Sequence, residues 1–368
     1  MNFDLTEEQQ LLRDVTRDVL SRNYDIARYN EVIESDRGWN REVWGQLAEM
    51  GLLGLGFDPD EAGPIEVMVI MTEVGRRLTP EPVAQAALIP GGLIAEAGTD
   101  EQKAILDDVS TGAVLLAFAH DEPGVRVPVG ELNTKAEGSG DSWTVTGRKN
   151  PVLAGDSADK VIVTAALPDG GAGLFLIDGA AATRHSYRTF DGRRAAQLDF
   201  ESVAAEPLGA GGDAGDHIAH TVIRYQSALC AEAVGAMEEA LELTTGYLGE
   251  RKQFGVPLSN FQTLTQRAAD MYVSLELARS MSFYAAMSIA DGRFDPVVAA
   301  RAKLQIGRSG RHIAQEAIQL HGGIGMTAEY PVGHYAARLT AIDNTFGTAD
   351  DQMRTLIADI GSYGTVSL

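Results

Sequence analysis

Residues 216–248, 259–291 and 296–320 each repeat apolar side chains at helical spacing over lengths that only mutual packing satisfies, so they predict long helices of one bundle. Asp295 before Pro296 supplies a capping carboxylate and a preset φ for the third. The front of the chain is helical in a different way, with shorter and individually capped pieces. Thr6-Glu7-Glu8-Gln9 is a capping-box pattern, and Leu11, Leu12, Val15, Val19 and Leu20 follow on one face. Val43, Trp44, Leu47 and Met50 repeat that face and stop at Gly51, while Pro64 opens a helix through Val67, Ile70 and Val74. Thr99-Asp100-Glu101-Gln102 caps another, which Gly112 ends.

Between these helical parts the period changes. Short apolar or alternating runs at 114–119, 143–146, 161–166, 174–177 and 197–200 are split by Gly138-Ser139-Gly140-Asp141 and Pro168-Asp169-Gly170-Gly171, and Gly209-Ala210-Gly211-Gly212 marks the exit. The expectation is an α+β chain: an N-terminal helical domain at 1–112, a small antiparallel β domain at 113–207 and a C-terminal four-helix bundle at 208–368. A length of 368 residues exceeds one hydrophobic core, which agrees with several packed units.

Charge and cysteine content narrow the function. A net charge of −22 opposes binding to nucleic acid or to an anionic membrane. Arg184, His185, Arg188, Arg193 and Arg194 cluster locally and read as a solvated basic patch. The single cysteine, Cys230, lies in the apolar run 228–231, reads as helix wall rather than nucleophile, and suits a reducing cytoplasm. No signal peptide, membrane-spanning run or metal-ligand pattern is expected.

Two motifs carry the chemistry. Gly249-Glu250-Arg251-Lys252-Gln253-Phe254-Gly255, followed by Phe261-Gln262, crowds a guanidinium, carboxamides, an aromatic ring and a glycine into one turn between helices. Arg grips phosphate oxygens through a planar fork, so the turn suits a phosphate-bearing aromatic ligand. Gln319-Leu320-His321-Gly322-Gly323-Ile324-Gly325-Met326-Thr327 then ends a second helix. Together their wording and spacing resemble the acyl-CoA dehydrogenase family of flavoproteins, and the resemblance runs through the whole chain.

That resemblance implies a flavin between the β domain and the bundle, with its nucleotide end covered by a neighbouring subunit. Arg251, Gln253, Phe254 and Gln262, with Gln319, His321, Gly322 and Gly323, match the contacts to the pyrophosphate and adenosine half of FAD. Thr348 matches a further FAD contact and reads equally as a helix N-cap. The ring-facing segments are not kept. Where family members carry Thr-Glu-Pro-Gly-Ala-Gly-Ser-Asp this chain has residues 121–128, with Arg126-Val127 for the Gly-Ser pair, and Pro151-Val152-Leu153 replaces Trp-Ile-Thr.

Removing a proton beside a thioester needs a carboxylate of raised pKa in an enclosed pocket. Phe346 and Lys252 occupy the two positions where relatives place that glutamate. The resemblance therefore implies a non-catalytic subunit that completes the FAD site of a catalytic partner in an α2β2 acyl-CoA dehydrogenase, the segments 229–237 and 325–335 looking like the small, degenerate subunit. Such enzymes act on bulky substrates such as steroid-derived CoA esters and dicarboxylyl-CoAs, and the family implies electron-transfer flavoprotein as the electron acceptor. Two alternatives stay open: a self-sufficient homo-oligomer with Asp343, Glu250 or Glu232 as base, and a flavin-free scaffold.

Overall fold

The computed structural model describes residues 4–125, 132–140, 142–358 and 360–363. Among the described residues seven α-helices precede the first strand: α1 (Glu7–Asn23), α2 (Ile26–Glu34), α3 (Arg41–Glu49), α4 (Pro64–Arg76), α5 (Ile89–Ala97), α6 (Asp100–Lys103) and α7 (Ile105–Ser110). Their starts follow the sequence. Thr6 and Gln9 exchange both capping hydrogen bonds, Thr99 and Gln102 do the same, and Pro64 is the first residue of α4.

Seven strands form the middle: β1 (Leu116–Ala119), β2 (Lys135–Ser139), β3 (Ser142–Leu153), β4 (Lys160–Ala166), β5 (Ala172–Asp178), β6 (Thr183–Arg188) and β7 (Arg194–Pro207). The expectation of a purely antiparallel domain needs correction. β1 runs parallel to β4, and β2 meets β4 in parallel at Lys135 and Ala166. The remaining pairings are antiparallel, and the path β4-β2-β3-β7-β5 closes back on β4, with β6 added on β7. Alternating apolar runs specify a half-buried strand but not the direction of its neighbour. The enclosed side of this sheet packs Val145, Val161, Phe175, Leu198 and Phe200 into a core of its own.

The last part holds α8 (Gly215–Glu250), a two-stranded hairpin of β8 (Lys252–Gln253) and β9 (Val256–Pro257), α9 (Gln262–Ala290), α10 (Pro296–His321), α11 (Val332–Asn344) and α12 (Ala349–Ala358). Asp295 caps α10 by accepting from the amides of Val297 and Val298. Helix α8 crosses α4 at very close range. A β-carbon on Gly235 would stand 1.8 Å from the Thr72 carbonyl oxygen, and one on Gly75 equally close, 1.8 Å, to that of Glu232. The N-terminal helices and the bundle therefore share one apolar core, in which Cys230 is buried. Burial lifts its thiol to about 12, Lys303 only partly offsetting this, so it is not a nucleophile. No helix among the described residues is long and apolar enough to cross a membrane.

Candidate functional site: an exposed bundle end and a central cavity

The two sequence motifs meet at one end of the bundle. Tyr247, in the last turn of α8, stacks on His321 at the end of α10 with ring centroids 4.6 Å apart. Arg251 caps α8 through its backbone amide, and its side chain is exposed with no ion pair among the described residues. The chain then turns through Phe254 and Gly255, at φ +53° and +82°, so the β8–β9 hairpin carries Phe254 at its tip, 92 % exposed. A phenylalanine in the left-handed region costs on the order of 1–3 kcal/mol. Its edge rests on Phe261, centroids 6.2 Å apart, and its face is open. Lys252, Gln253, Gln262, Gln319, Gly322 and Gly323 are exposed as well.

His321 differs from its matched role. It is buried, with Nδ1 at 2.8 Å from the Ala317 carbonyl and Nε2 at 3.1 Å from the Tyr330 hydroxyl, and burial depresses its pKa. Both ring nitrogens are engaged, so it braces the α10 terminus. Gly322-Gly323 likewise follows a helix C-terminus, whose carbonyls repel phosphate, so positive charge here comes from Arg251 and Lys252. The exposed guanidinium, three carboxamides and open aromatic face fit the diphosphate and adenine of a dinucleotide.

The second region is a cavity of about 760 Å³ where the N-terminal helices, the β domain and the bundle meet. Phe346 forms part of its wall at φ +52° and is buried against Tyr225, centroids 4.7 Å apart. Its carbonyl accepts from Gln226 Nε2 at 2.9 Å and Gln352 Nε2 at 3.2 Å, which fixes the ring. Thr348 also lines the cavity, yet its hydroxyl accepts from the Asp351 amide at 3.2 Å and donates to the Asp351 carboxylate at 2.7 Å, so it is the N-cap of α12. Pro151 and Leu153 present neither hydroxyl nor aromatic face to the cavity. Arg126 and Val127, the other ring-facing change, lie outside the described residues.

None of the three alternative carboxylates is placed as a base. Glu232 is fully buried and bound by Arg338 at 2.8 and 2.7 Å and by Arg193 at 2.8 Å; burial opposes its charge, but the two arginines outweigh it and hold its pKa below the ordinary range. Asp343 accepts from the Ala349 amide at 3.0 Å, and Glu250 is exposed on the far end of α8. None of them lines the cavity. Arg193 corrects a second expectation: far from solvated, it is buried and also donates to the Thr79 carbonyl at 3.0 Å. Two cavity residues went unnoticed as candidates, Asp121 and Gln85. Asp121 is raised to about 6 by burial, Lys149 pulling the other way. Among the described residues no cluster of metal ligands is present.

The order of helical domain, sheet and bundle, with a cavity between the units, is the architecture of a flavoprotein dehydrogenase. The family models agree: residues 6–112 match the acyl-CoA dehydrogenase N-terminal domain, and residues 219–361 the C-terminal domain. The probable acyl-CoA dehydrogenase YngJ of Bacillus subtilis is 30% identical over 97% of this chain and 99% of its own. Acyl-CoA dehydrogenase IpdE2 of Mycobacterium tuberculosis is 28% identical over 96% and 98%. A solved steroid ACAD, Tcur3481-Tcur3483, superposes with a TM-score of 0.90 at 30% identity over 97% of this chain and 99% of that one. The ChsE4-ChsE5 complex from Mycobacterium tuberculosis, at 23% identity and a TM-score of 0.91 over 99% of this chain and 100% of that one, shares the fold. The chain belongs to the acyl-CoA dehydrogenase family, whose cofactor is FAD.

Proposed function

We propose that this chain is the non-catalytic subunit of a heteromeric acyl-CoA dehydrogenase, completing the FAD site of a catalytic partner across a subunit boundary. The observation that carries the reading is Phe346, an apolar ring fixed in the cavity wall at the position of the family's carboxylate, while no other of the candidate carboxylates reaches that cavity. The exposed end of the bundle supports the other half. Arg251 would pair with the diphosphate through its fork of donors, Phe254 would lie against the adenine, and Gln253, Gln262 and Gln319 would orient both. FAD, housed mainly by the partner, would accept the hydride during α,β-dehydrogenation of an acyl-CoA and pass electrons to electron-transfer flavoprotein. A bulky, steroid-type thioester is the proposed substrate class, since a related structure is that of a steroid ACAD formed by two gene products. The self-sufficient alternative loses ground because its three candidate bases are paired or outside the cavity. The scaffold alternative gives no reason for an unpaired Arg251 and an open Phe254.

The test is flavin content. The chain alone should be colourless, and the complex with its catalytic partner should carry one FAD per heterodimer; Arg251→Ala should lower retention about tenfold or more, as loss of a charge-assisted pair does. A lone chain that is yellow and bleaches a dye in the presence of acyl-CoA sinks the reading. Unchanged flavin in the Arg251→Ala complex favours the scaffold.

A further inference from the structure

The central cavity has polar equipment that the proposed function leaves unused. Gln85 stands on the π-helical turn Ala84–Leu88 leading into α5, is 6% exposed, lines the cavity, and its side chain forms no hydrogen bond among the described residues. Its carboxamide is not sealed off from the cavity space, as the orphaned buried atoms elsewhere in the molecule are. A buried amide left unpaired is the exception in folded proteins, and at a cavity wall it points to a ligand. The carboxylate of Asp121 on the same cavity makes neither hydrogen bond nor ion pair among the described residues, and burial lifts its pKa to about 6.

The cations around the cavity decide what class of ligand this is. Arg188 is paired with Glu34, Arg194 with Asp156, Arg193 with Glu232, and Arg338 with both Glu232 and Asp191. Among the described residues no lining arginine is left over for a phosphate or carboxylate, and the one unpaired charge among them is negative. Trp39, Phe118, Leu153, Tyr225 and Phe346 supply apolar faces around a volume of about 760 Å³. Such a space holds a compound of several fused rings and rejects an anionic tail.

We propose that this cavity binds a neutral, rigid multi-ring alcohol as a ligand rather than a reactant, with one oxygen donating to the Asp121 carboxylate and another on the Gln85 carboxamide. The inference rests on the reading that the chain houses no flavin ring of its own. Its site then makes the subunit a sensor for the unesterified ring compound.

The full-length chain is titrated with androstanediol, a rigid four-ring diol, and with the hydrocarbon androstane, following tryptophan fluorescence, since Trp39 lines the cavity. The diol should quench it saturably. Asp121→Asn and Gln85→Leu should each weaken the diol about tenfold, the loss of one buried hydrogen bond, and androstane should bind more weakly than the diol. Asp121→Asn preserves shape, and an unchanged melting temperature shows that a weakened variant is still folded. Absent saturable quenching, wild-type affinity in both variants, or an androstane affinity matching that of the diol overturns the proposal. A colourless chain that ignores the diol sinks this inference alone, whereas a yellow lone chain sinks the functional reading beneath it.

Discussion

Glu81 shows how one residue near the cavity sets the response to pH. It is fully buried; burial lifts its carboxyl from the ordinary 4.5 to about 7, against hydrogen bonds from the Tyr24 hydroxyl at 2.5 Å and the Asn40 amide at 2.9 Å. Its Oε2 has no partner. A raised carboxyl pKa stabilises the fold below the unfolded value, and the stabilisation is lost as pH rises through the folded one. The melting temperature of the wild type relative to Glu81→Gln should therefore fall between pH 4.5 and about 7 and level off above it. A constant difference across that window would show that Glu81 is charged in the fold. Individual residues were unevenly legible. Phe346 and Lys252 could be matched to the family's two base positions because their neighbours fixed the alignment. Asp121 stood in a run already compared with the family, yet what singles it out is burial, which belongs to the folded chain. Arg193 was misread for the same reason, its partner Glu232 lying on α8.

Among the elements, the long helices and their caps were plain, because a helix writes its buried face into local spacing. The strands were less so. Residues 183–188 form β6 with half-exposed and exposed side chains throughout, and β2 buries only Ala136, so neither alternates enough to be seen. The parallel pairing of β1 with β4 depends on a crossover that no local pattern records. The meeting of α4 and α8 is the most demanding element contact. Each glycine admits the other helix's carbonyl, so Gly235→Ala must push the helices apart, at a cost of about 1–3 kcal/mol of overpacking. A denaturation midpoint within error of wild type would contradict the close crossing, and Gly246→Ala, with open space beyond it, is the control.

At the scale of the molecule, the three units are tied by buried charge. Arg338 on α11 holds Glu232 on α8 and, at 2.9 Å, Asp191 from the turn before β7, while Arg193 reaches from the sheet to Glu232 and to Thr79 of the N-terminal helical unit. Burial works against the charge on Asp191 too, but Arg338 and Arg193 keep its pKa below the ordinary range. Arg338→Leu leaves two buried carboxylates short of a partner and should cost about 3–5 kcal/mol, read as a lower melting temperature of the whole chain. Loss of the sheet's cooperativity alone, with the helices melting as before, would show that the units are not coupled through this cluster. The order of units was visible in the sequence; the bond between them was not, because its members come from separate segments whose meeting only the fold creates.

Cys230 has a practical corollary. Since the molecule's one thiol is enclosed and inert, Lys252→Cys would place a single addressable sulfur on the protruding hairpin. A maleimide dye attached there would report the arrival of a second polypeptide without a background label to subtract, turning the docking event itself into an optical signal.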